Sequence, residues 1–216
     1  MRFLASVLAV VATPLSAQTL TAPEAEILPR LIDSLCIDIH PDNGCEQVIL
    51  LTVPDEADVA DLVILSDRRR QDGTGAPLLV LRDAAYNGSM WGMAPSLEDG
   101  QNRSLLLHSE QSGIGRHPWF QTLRIIWQED AFQVVDYSYS TYDRLSASSF
   151  ICDVDYSAGQ YRAEIVLNDP ETEEEQVETE SGATDPEPVA LSLWHAFAPM
   201  PEICARHWNR YFNLVQ

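Results

Sequence analysis

The segment 112–119, SGIGRHPW, has the composition of an exposed recognition loop. Gly113 and Gly115 permit backbone conformations with positive φ, and the proline before Trp119 stiffens the exit. Arg116 is one of few cationic groups in the chain, and a guanidinium can bind a partner's carboxylate through two parallel hydrogen bonds. The candidate binding residues are Ser112, Gly113, Gly115, Arg116, His117 and Trp119. The alternative is a structural turn in which Arg116 pairs with one of the protein's own carboxylates.

A second group with chemical capacity is formed by Cys36, His40 and Cys45, which lie within ten residues. Thiolate and imidazole groups are zinc ligands, and Asp38 or Asp42 could complete a coordination shell. The C-x8-C spacing is not that of a common zinc knuckle, and thiols in an oxidising compartment form disulfides. We therefore predict no metal at this segment, and no cofactor elsewhere.

Carboxylates that calcium would accept occur in two places, without the spacing of an EF-hand loop. They are Asp55, Glu56, Asp58 and Asp61, and then Asp153 and Asp155 ahead of Gly159. In a chain with 33 acidic residues such groupings also arise by chance. A calcium-dependent structural protein is therefore kept as an alternative.

Motifs for hydrolysis and nucleotide binding are missing from the chain. It has no G-x-S-x-G elbow, no H-E-x-x-H helix, no P-loop and no dinucleotide fingerprint. No spacing selects a catalytic base from the five histidines, which are His40, His108, His117, His195 and His207. We assign no catalytic residue, and a cell-envelope hydrolase without a recognisable motif stays an alternative to a non-enzymatic protein.

Residues 1–17, MRFLASVLAVVATPLSA, have the pattern of a secretory signal peptide: a basic residue, an apolar run, and small residues at the end. The apolar run is about ten residues long, too short for a ~30 Å hydrocarbon core, and no later segment approaches the ~20 apolar residues of a membrane span. We therefore expect a soluble protein in the periplasm or secreted.

Four cysteines follow the predicted signal peptide. An even number in an oxidising compartment is typical of disulfides, and four cysteines allow three connectivities. The pairing favoured here is local in sequence, Cys36 with Cys45 and Cys152 with Cys204.

The charge balance limits the partners. The chain carries 33 acidic against 13 basic residues, a net charge of −20 at pH 7, and every basic residue is arginine. The absence of lysine excludes a Schiff-base mechanism, and the negative charge repels phosphate backbones and anionic lipid. A basic protein or a component of the cell envelope is the remaining class of partner, although acidity also serves simply to keep an exported protein in solution.

The elements that would position these residues are mainly strands. Helical spacing of apolar residues predicts a helix over 22–36, either kinked at Pro29 or divided into two short pieces with the second starting there, and turn formers follow in 37–45. Short runs rich in Val, Ile and Leu then predict strands in EQVILLTV, DLVILSD, APLLVLRDA and SLLLHSE, with a wandering loop over 87–103 before the last. Alternation predicts a long hairpin over 119–141 with its turn at Glu129 and Asp130, and a second in CDVDY and QYRAEIVL.

The C-terminal quarter divides into two parts. Residues 169–188 contain nine acidic residues and almost nothing apolar, which predicts a disordered acidic loop. After a last strand or packed turn in VALSLWHAF, the chain predicts a terminal amphipathic helix. Its apolar face is formed by Cys204, Trp208, Tyr211, Phe212 and Val215.

Three motifs carry a resemblance to known sequences. They are GR-x-x-W-x-x-T-L at 115–123, Y-x-Y-S-T-Y-D at 137–143 and CDVDYSAG at 152–159. The stretch 104–160, about a quarter of the chain, resembles a group of uncharacterised exported proteobacterial proteins. The resemblance implies a periplasmic or secreted location and a structural unit formed by the loop and the hairpin. No activity is attached to that group, so the resemblance implies no functional residue.

These observations predict a mainly β (α+β) protein, an antiparallel sandwich or partly closed barrel with a short N-terminal helix and a C-terminal amphipathic helix. The domain boundaries are a signal peptide at 1–17 and a single β-rich domain at 18–216. The predicted function is that of an exported non-enzymatic binding module. It is an inhibitor or immunity-type protein for a basic partner, for example a basic secreted lysozyme, recognised through the 112–119 loop.

Overall fold

A computed structural model of the protein describes residues 22–41, 44–54, 56–69, 75–88, 93–169, 171–172, 174–184 and 187–215. The predicted signal peptide lies outside the described residues. Among the residues within them, no helix is both long and apolar enough to cross a membrane.

The described chain forms two antiparallel sheets. The small sheet has the order β1-β2-β3-β4, with strands Leu31–Ile37, Glu46–Val53, Glu56–Arg69 and Gly75–Tyr86. The large sheet has the order β11-β10-β9-β8-β7-β6-β5, and the two-residue strand β12 pairs beside β8. Its strands are β5 Ser96–Asp99, β6 Ser104–Gln111, β7 Trp119–Gln128, β8 Ala131–Tyr142, β9 Ser149–Asp155, β10 Gln160–Asn168, β11 Glu175–Ala183 and β12 Val189–Ala190.

Buried side chains of both sheets belong to one hydrophobic cluster, which confirms the predicted mainly β fold as a sandwich of open sheets. The small sheet contributes Val48, Leu50, Leu62 and Ile64, and the large sheet contributes Leu105, Leu107, Leu123, Ile125 and Phe150. Each of these residues lies at every second position of its strand, because alternate side chains of a strand point to one face.

The predicted long hairpin is confirmed as β7 and β8. Glu129 and Asp130 join the two strands with φ values of 52° and 59°. Two consecutive residues with positive φ match the twist of antiparallel strands, which explains why the turn is this short. The second predicted hairpin is confirmed as β9 and β10.

The predicted helix over 22–36 is wrong in its second half. The helix α1 spans Ala22–Ile27, a single 3-10 turn spans Leu28–Arg30, and the chain then enters β1. Pro29 cannot donate to an α-helical ladder, so the helix ends before it. Leu35 and Ile37 face the core because β1 pairs with β2, a partner that helical spacing alone does not reveal.

Two predicted loops contain strands. The segment 87–103 holds β5, which pairs with β6. The acidic segment 169–188 was predicted to be disordered, and this is wrong for Glu175–Ala183, which pairs along its whole length with β10. An edge strand uses backbone hydrogen bonds and needs little burial of its own side chains, and its charges discourage further pairing at the edge.

The C-terminal helix α2 spans Glu202–Leu214 after the 3-10 turn Leu191–Leu193. Its Cys204 bonds to Cys152 of β9, with Cα atoms 5.7 Å apart, and fixes the helix on the core face of the large sheet. Cys36 and Cys45 form the other disulfide across the β1–β2 loop, with Cα atoms 5.4 Å apart. Both predicted pairings are therefore confirmed.

Candidate functional site

The predicted recognition loop joins β6 to β7, and its arginine is directed toward the protein itself. Arg116 donates from Nε to Asp143 Oδ1 at 2.8 Å and from Nη2 to Asp143 Oδ2 at 2.5 Å. It also donates to the carbonyl of Val215 at 2.6 Å, so it links the loop to the end of α2. Asp143 is completely buried. The geometry therefore matches the structural alternative for Arg116, an internal ion pair rather than a free anchor.

Asp143 organises the turn after β8 as well. It accepts hydrogen bonds from the Leu145 amide at 2.9 Å and the Ser146 hydroxyl at 3.0 Å. The hydrogen bonds from Arg116 are the main cause that lowers the pKa of Asp143 far below its ordinary value. Arg144 completes the connection, because its guanidinium donates to the carbonyls of Ser112 and Gly115. The loop and the turn thus form one tied unit.

The remaining loop residues are structural or peripheral. Gly115 has a φ of +89° and open space around it, so this position needs glycine for conformation and not for room. The Gly113 amide points to the sulfur of Met93. His117 lies against the ring of Phe212, with centroids 5.5 Å apart. Trp119 is stacked with Tyr139 at 6.3 Å.

The side of the large sheet that faces away from the core is covered by no described element. We call it the outer face and number its cross-strand rows from the end nearest the 112–119 loop. Row 1 is Tyr142, Ser149, Val166 and Val177. Row 2 is Glu110, Phe120, Ser140, Ile151, Glu164 and Thr179. Row 3 is Ser96, His108, Thr122, Ser138, Asp153, Arg162 and Ser181. Row 4 is Glu98, Leu106, Arg124, Asp136, Asp155 and Gln160.

A cleft of about 600 Å³ lies on this outer face. Glu98, His108, Glu110, Phe120 and Thr122 line it, so it combines two carboxylates, an imidazole, a hydroxyl and an aromatic ring. The recognition loop borders it, because the hydroxyl of Ser112, the first residue of the loop, donates to Glu110 Oε1 at 3.0 Å.

His108 lies at the centre of the cleft between two polar groups. Its Nδ1 is 2.9 Å from Thr122 Oγ1, which is hydrogen-bond distance. Its Nε2 is 3.3 Å from Glu98 Oε2, within ion-pair distance, yet the alignment is not that of a hydrogen bond and this nitrogen has no hydrogen-bond partner. The contact with Glu98 is therefore a close approach of a carboxylate to the imidazole and not a hydrogen bond.

A hydroxyl, an imidazole and a carboxylate in this order are the groups of a nucleophilic relay. Such a relay also needs donors that stabilise an oxyanion. Thr122 lies on β7 and His108 on β6, and both strands are paired on each side. Their backbone N–H groups are used by the sheet ladders, so the strands themselves supply no oxyanion hole. The arrangement supports binding better than acyl transfer.

The outer face is predominantly acidic. Six carboxylates in its four rows stand against two guanidinium groups. Arg124 pairs with Asp136, and the hydrogen bond that it donates to this carboxylate is the main cause that raises the pKa of Arg124. Arg162 pairs with Glu164 at 2.6 Å. The carboxylates without an arginine partner are Glu98, Glu110, Asp153 and Asp155.

A second cleft of about 400 Å³ lies between β11 and α2 on the core side of the large sheet. Here Glu178 pairs with Arg210 at 2.5 Å, and Glu180 lies 3.5 Å from His207 Nε2. A hydrogen bond from Tyr161, at 2.7 Å, is the main cause that lowers the pKa of Glu180. These contacts attach the acidic edge strand to the helix, which is a structural role.

Several residues considered as metal ligands are engaged elsewhere, while Asp42 and Asp55 lie outside the described residues. Cys36 and Cys45 are oxidised to a disulfide. Asp61 is buried, pairs with Arg82 and accepts the Asp83 amide at 3.2 Å. Within the described part of the chain, no three His, Cys, Asp or Glu side chains converge in a way that could hold a metal ion.

Sequence reasoning missed the outer face as a site. A signal was present in the alternation of polar residues along the hairpin, for example Asp136, Ser138 and Ser140. Alternation tells which residues of one strand share a face, but only the register between strands brings Glu98, His108 and Thr122 together. Comparisons with protein-family models, with curated proteins and with solved structures found no match.

Proposed function

We propose that the protein is an exported, non-enzymatic binding module that recognises a basic partner through the outer face. The observation that carries the proposal is the acidic outer face, on which Glu98 and Glu110 line the 600 Å³ cleft without an arginine partner. Glu98 and Glu110 attract a cation, and the ring of Phe120, opposite Glu110 in the ladder of β6 and β7, offers a cation–π surface. Two disulfides support an oxidising location, the periplasm or outside the cell.

The size of the outer face suits a protein partner. From Tyr142 to Asp136 along β8 is six residues, about 20 Å, and the seven strands from β5 to β11 span roughly 29 Å. A patch of these dimensions covers about 580 Å², which is most of the roughly 800 Å² that one partner buries in a standard interface. Such a patch is wider than a small ligand needs.

Electrostatics gives the proposal a kinetic signature. A net charge of −20 speeds the encounter with a cationic protein, and salt screens this effect. The outer-face carboxylates lie where the partner docks, so they influence the association rate more than equal charges elsewhere.

The test measures association with a basic lysozyme and with an oligo-arginine peptide at 20 and 300 mM NaCl by interferometry. The outer-face variant combines Glu98→Gln, Glu110→Gln and Asp155→Asn. The matched control removes the same number of charges at exposed positions off the face, Glu26→Gln, Glu56→Gln and Glu129→Gln. We expect the face variant to lose about tenfold in association rate at low salt, with a clearly smaller loss in the control. An equal loss of association rate in the face variant and the control would mean that net charge alone causes the effect. Absence of binding to either probe at 20 mM NaCl would refute a basic partner.

A hydrolase is the second candidate, favoured by the Thr122–His108–Glu98 contacts. In that case Thr122 would attack an ester carbonyl while His108 takes its proton and passes it to the departing alcohol, and water would then hydrolyse the acyl-enzyme. Activated ester hydrolysis that is abolished by His108→Ala and retained by Thr122→Ser would replace the binding proposal.

A further inference from the structure

The outer face has two chemically different ends. At the end nearest the loop, rows 1 and 2 expose apolar side chains: Tyr142 and Ile151 are each 38% exposed and Val177 is 53% exposed. Val166 lies directly opposite Val177 in the ladder between β10 and β11, so the apolar groups are neighbours. At the other end, row 4 has three carboxylates, one guanidinium and a single apolar side chain, Leu106, whereas row 1 has no charged side chain.

The apolar end continues onto the loops. Ile114 is 53% exposed and Leu145 is 74% exposed, and the two belong to segments tied together by Arg144. Large apolar side chains that cluster on a surface mark an interaction site more often than scattered ones do. The loop predicted for recognition therefore contributes an apolar residue rather than its arginine.

We propose that the partner is a basic protein whose contact surface carries an apolar patch beside its cationic groups. The patch docks on rows 1 and 2 with Ile114 and Leu145, and the cations face row 4. This inference rests on the proposed function and adds the orientation and the surface chemistry of the partner. The two ends are separated by about 20 Å along β8, so the partner's patch and cations must be spaced accordingly.

The net charge favours a basic protein as the partner over a second copy of the chain or an anionic lipid surface. A second copy of the chain would bring an equally acidic face and a net charge of −20 against the first, which opposes docking. An anionic lipid surface is repelled in the same way. A basic surface with an apolar patch satisfies both ends at once.

The two ends should act on different rate constants. Exposed charges change the association rate and its salt dependence, whereas apolar anchors buried on binding mainly slow dissociation. The probes are two peptides with the same arginine block. In one, the block is followed by a Leu/Val block, and in the other, Ser replaces each Leu and Val.

At 300 mM NaCl we expect the apolar peptide to bind on the order of tenfold tighter than its Ser counterpart. Ile151→Ser with Val177→Ser should remove this advantage while leaving the salt dependence unchanged. The matched control is Leu193→Ser with Phe197→Ser, two apolar residues off the outer face that are 76% and 64% exposed. This control should keep the advantage.

Each possible result of these binding measurements supports or contradicts the inference. Salt-dependent but equal binding of both peptides would overturn this inference and leave the proposed function standing, while salt-independent binding would overturn both. An advantage that survives in the Ile151→Ser, Val177→Ser variant, or is lost in the control, would place the apolar contact elsewhere. A dimer of the protein alone in sedimentation, abolished by that variant, would assign the apolar end to a second copy.

The orientation is checked without any variant by nitroxide labels on the apolar peptide. A label at the Leu/Val end should broaden amide signals near Val177, and a label at the arginine end should broaden those near Asp136. The reverse pattern would overturn the proposed orientation.

Discussion

Replacing Arg116 with alanine should destabilise the fold because it leaves a fully buried carboxylate without its cation. Arg116 makes two hydrogen bonds to Asp143, at 2.8 and 2.5 Å, and one to the Val215 carbonyl at 2.6 Å. Breaking a buried pair by removing one partner costs about 3–5 kcal/mol. The Arg116 side chain is 38% exposed, so water reaches the site and the cost falls below that range.

Two properties of Asp143 limit the loss of stability. Asp143 keeps its hydrogen bonds from Leu145 and Ser146, which support the charge after the substitution. The carboxyl can also take up a proton, which at pH 7 costs about 4 kcal/mol from an ordinary pKa near 3.9. We therefore expect Arg116→Ala to lower the free energy of unfolding by about 2–3 kcal/mol.

The assay is urea unfolding followed by tryptophan fluorescence with both disulfides intact. Arg144→Ala is the control, because Arg144 is exposed and donates to backbone carbonyls of the same loop, and it should cost under about 1 kcal/mol. Combining Arg116→Ala with Asp143→Asn should cost less than the sum of the single substitutions, because the double variant leaves no unpaired charge.

The pH dependence separates this cause from lost packing. The pKa of Asp143 is lowered in the folded state, so its contribution to stability is present above the unfolded pKa and is lost as the pH falls through the folded pKa. The difference between wild type and Arg116→Ala should shrink when the pH falls below about 4. A difference that stays constant down to pH 2, or that equals the Arg144→Ala effect, would refute the reasoning.

Three other measurements test the fold. Replacing Cys152 and Cys204 with serine should lower the free energy of unfolding by about 4 kcal/mol, and the same change at Cys36 and Cys45 by about 2.7 kcal/mol. The first loss is larger because the bridged residues are 52 apart in sequence rather than 9. The reverse order in chemical denaturation would contradict this. Burial raises the pKa of Tyr211 to about 12. Since an unfolded tyrosine ionises near 10, the free energy of unfolding should fall between about pH 10 and 12. This fall should be less steep in the Tyr211→Phe variant. Backbone amides of β11 that pair with β10 should be protected in hydrogen exchange, and random-coil rates throughout the strand would show that it is disordered.

Much of the architecture could be predicted because it depends on short-range patterns. Alternation located β7 and β8, and the turn at Glu129 and Asp130 followed from its position between them. The disulfide pairing followed from locality and an even cysteine count. Errors arose where a distant partner decides: residues of β1 repeat at helical intervals but pair with β2, and β11 lacks apolar side chains yet is held by the ladder of β10.

The candidate site could also be predicted only in part from the sequence. The unusual composition of the 112–119 loop was visible, but the carboxylate that binds Arg116 comes from the turn after β8, 27 residues later. His108 and Thr122 were each visible within strand patterns, and only the pairing of β6 with β7 puts Nδ1 at 2.9 Å from Oγ1.

The amino-acid sequence alone determined the fold class, the favoured disulfide pairing and the acidic character, because periodicity, cysteine count and charge are local or additive properties. Only the tertiary structure decided that Arg116 is an internal cation and that the outer face has an apolar and an acidic end. The physical reason is that strand register joins residues far apart in the chain, and register depends on burial of the whole opposite face rather than on any single segment.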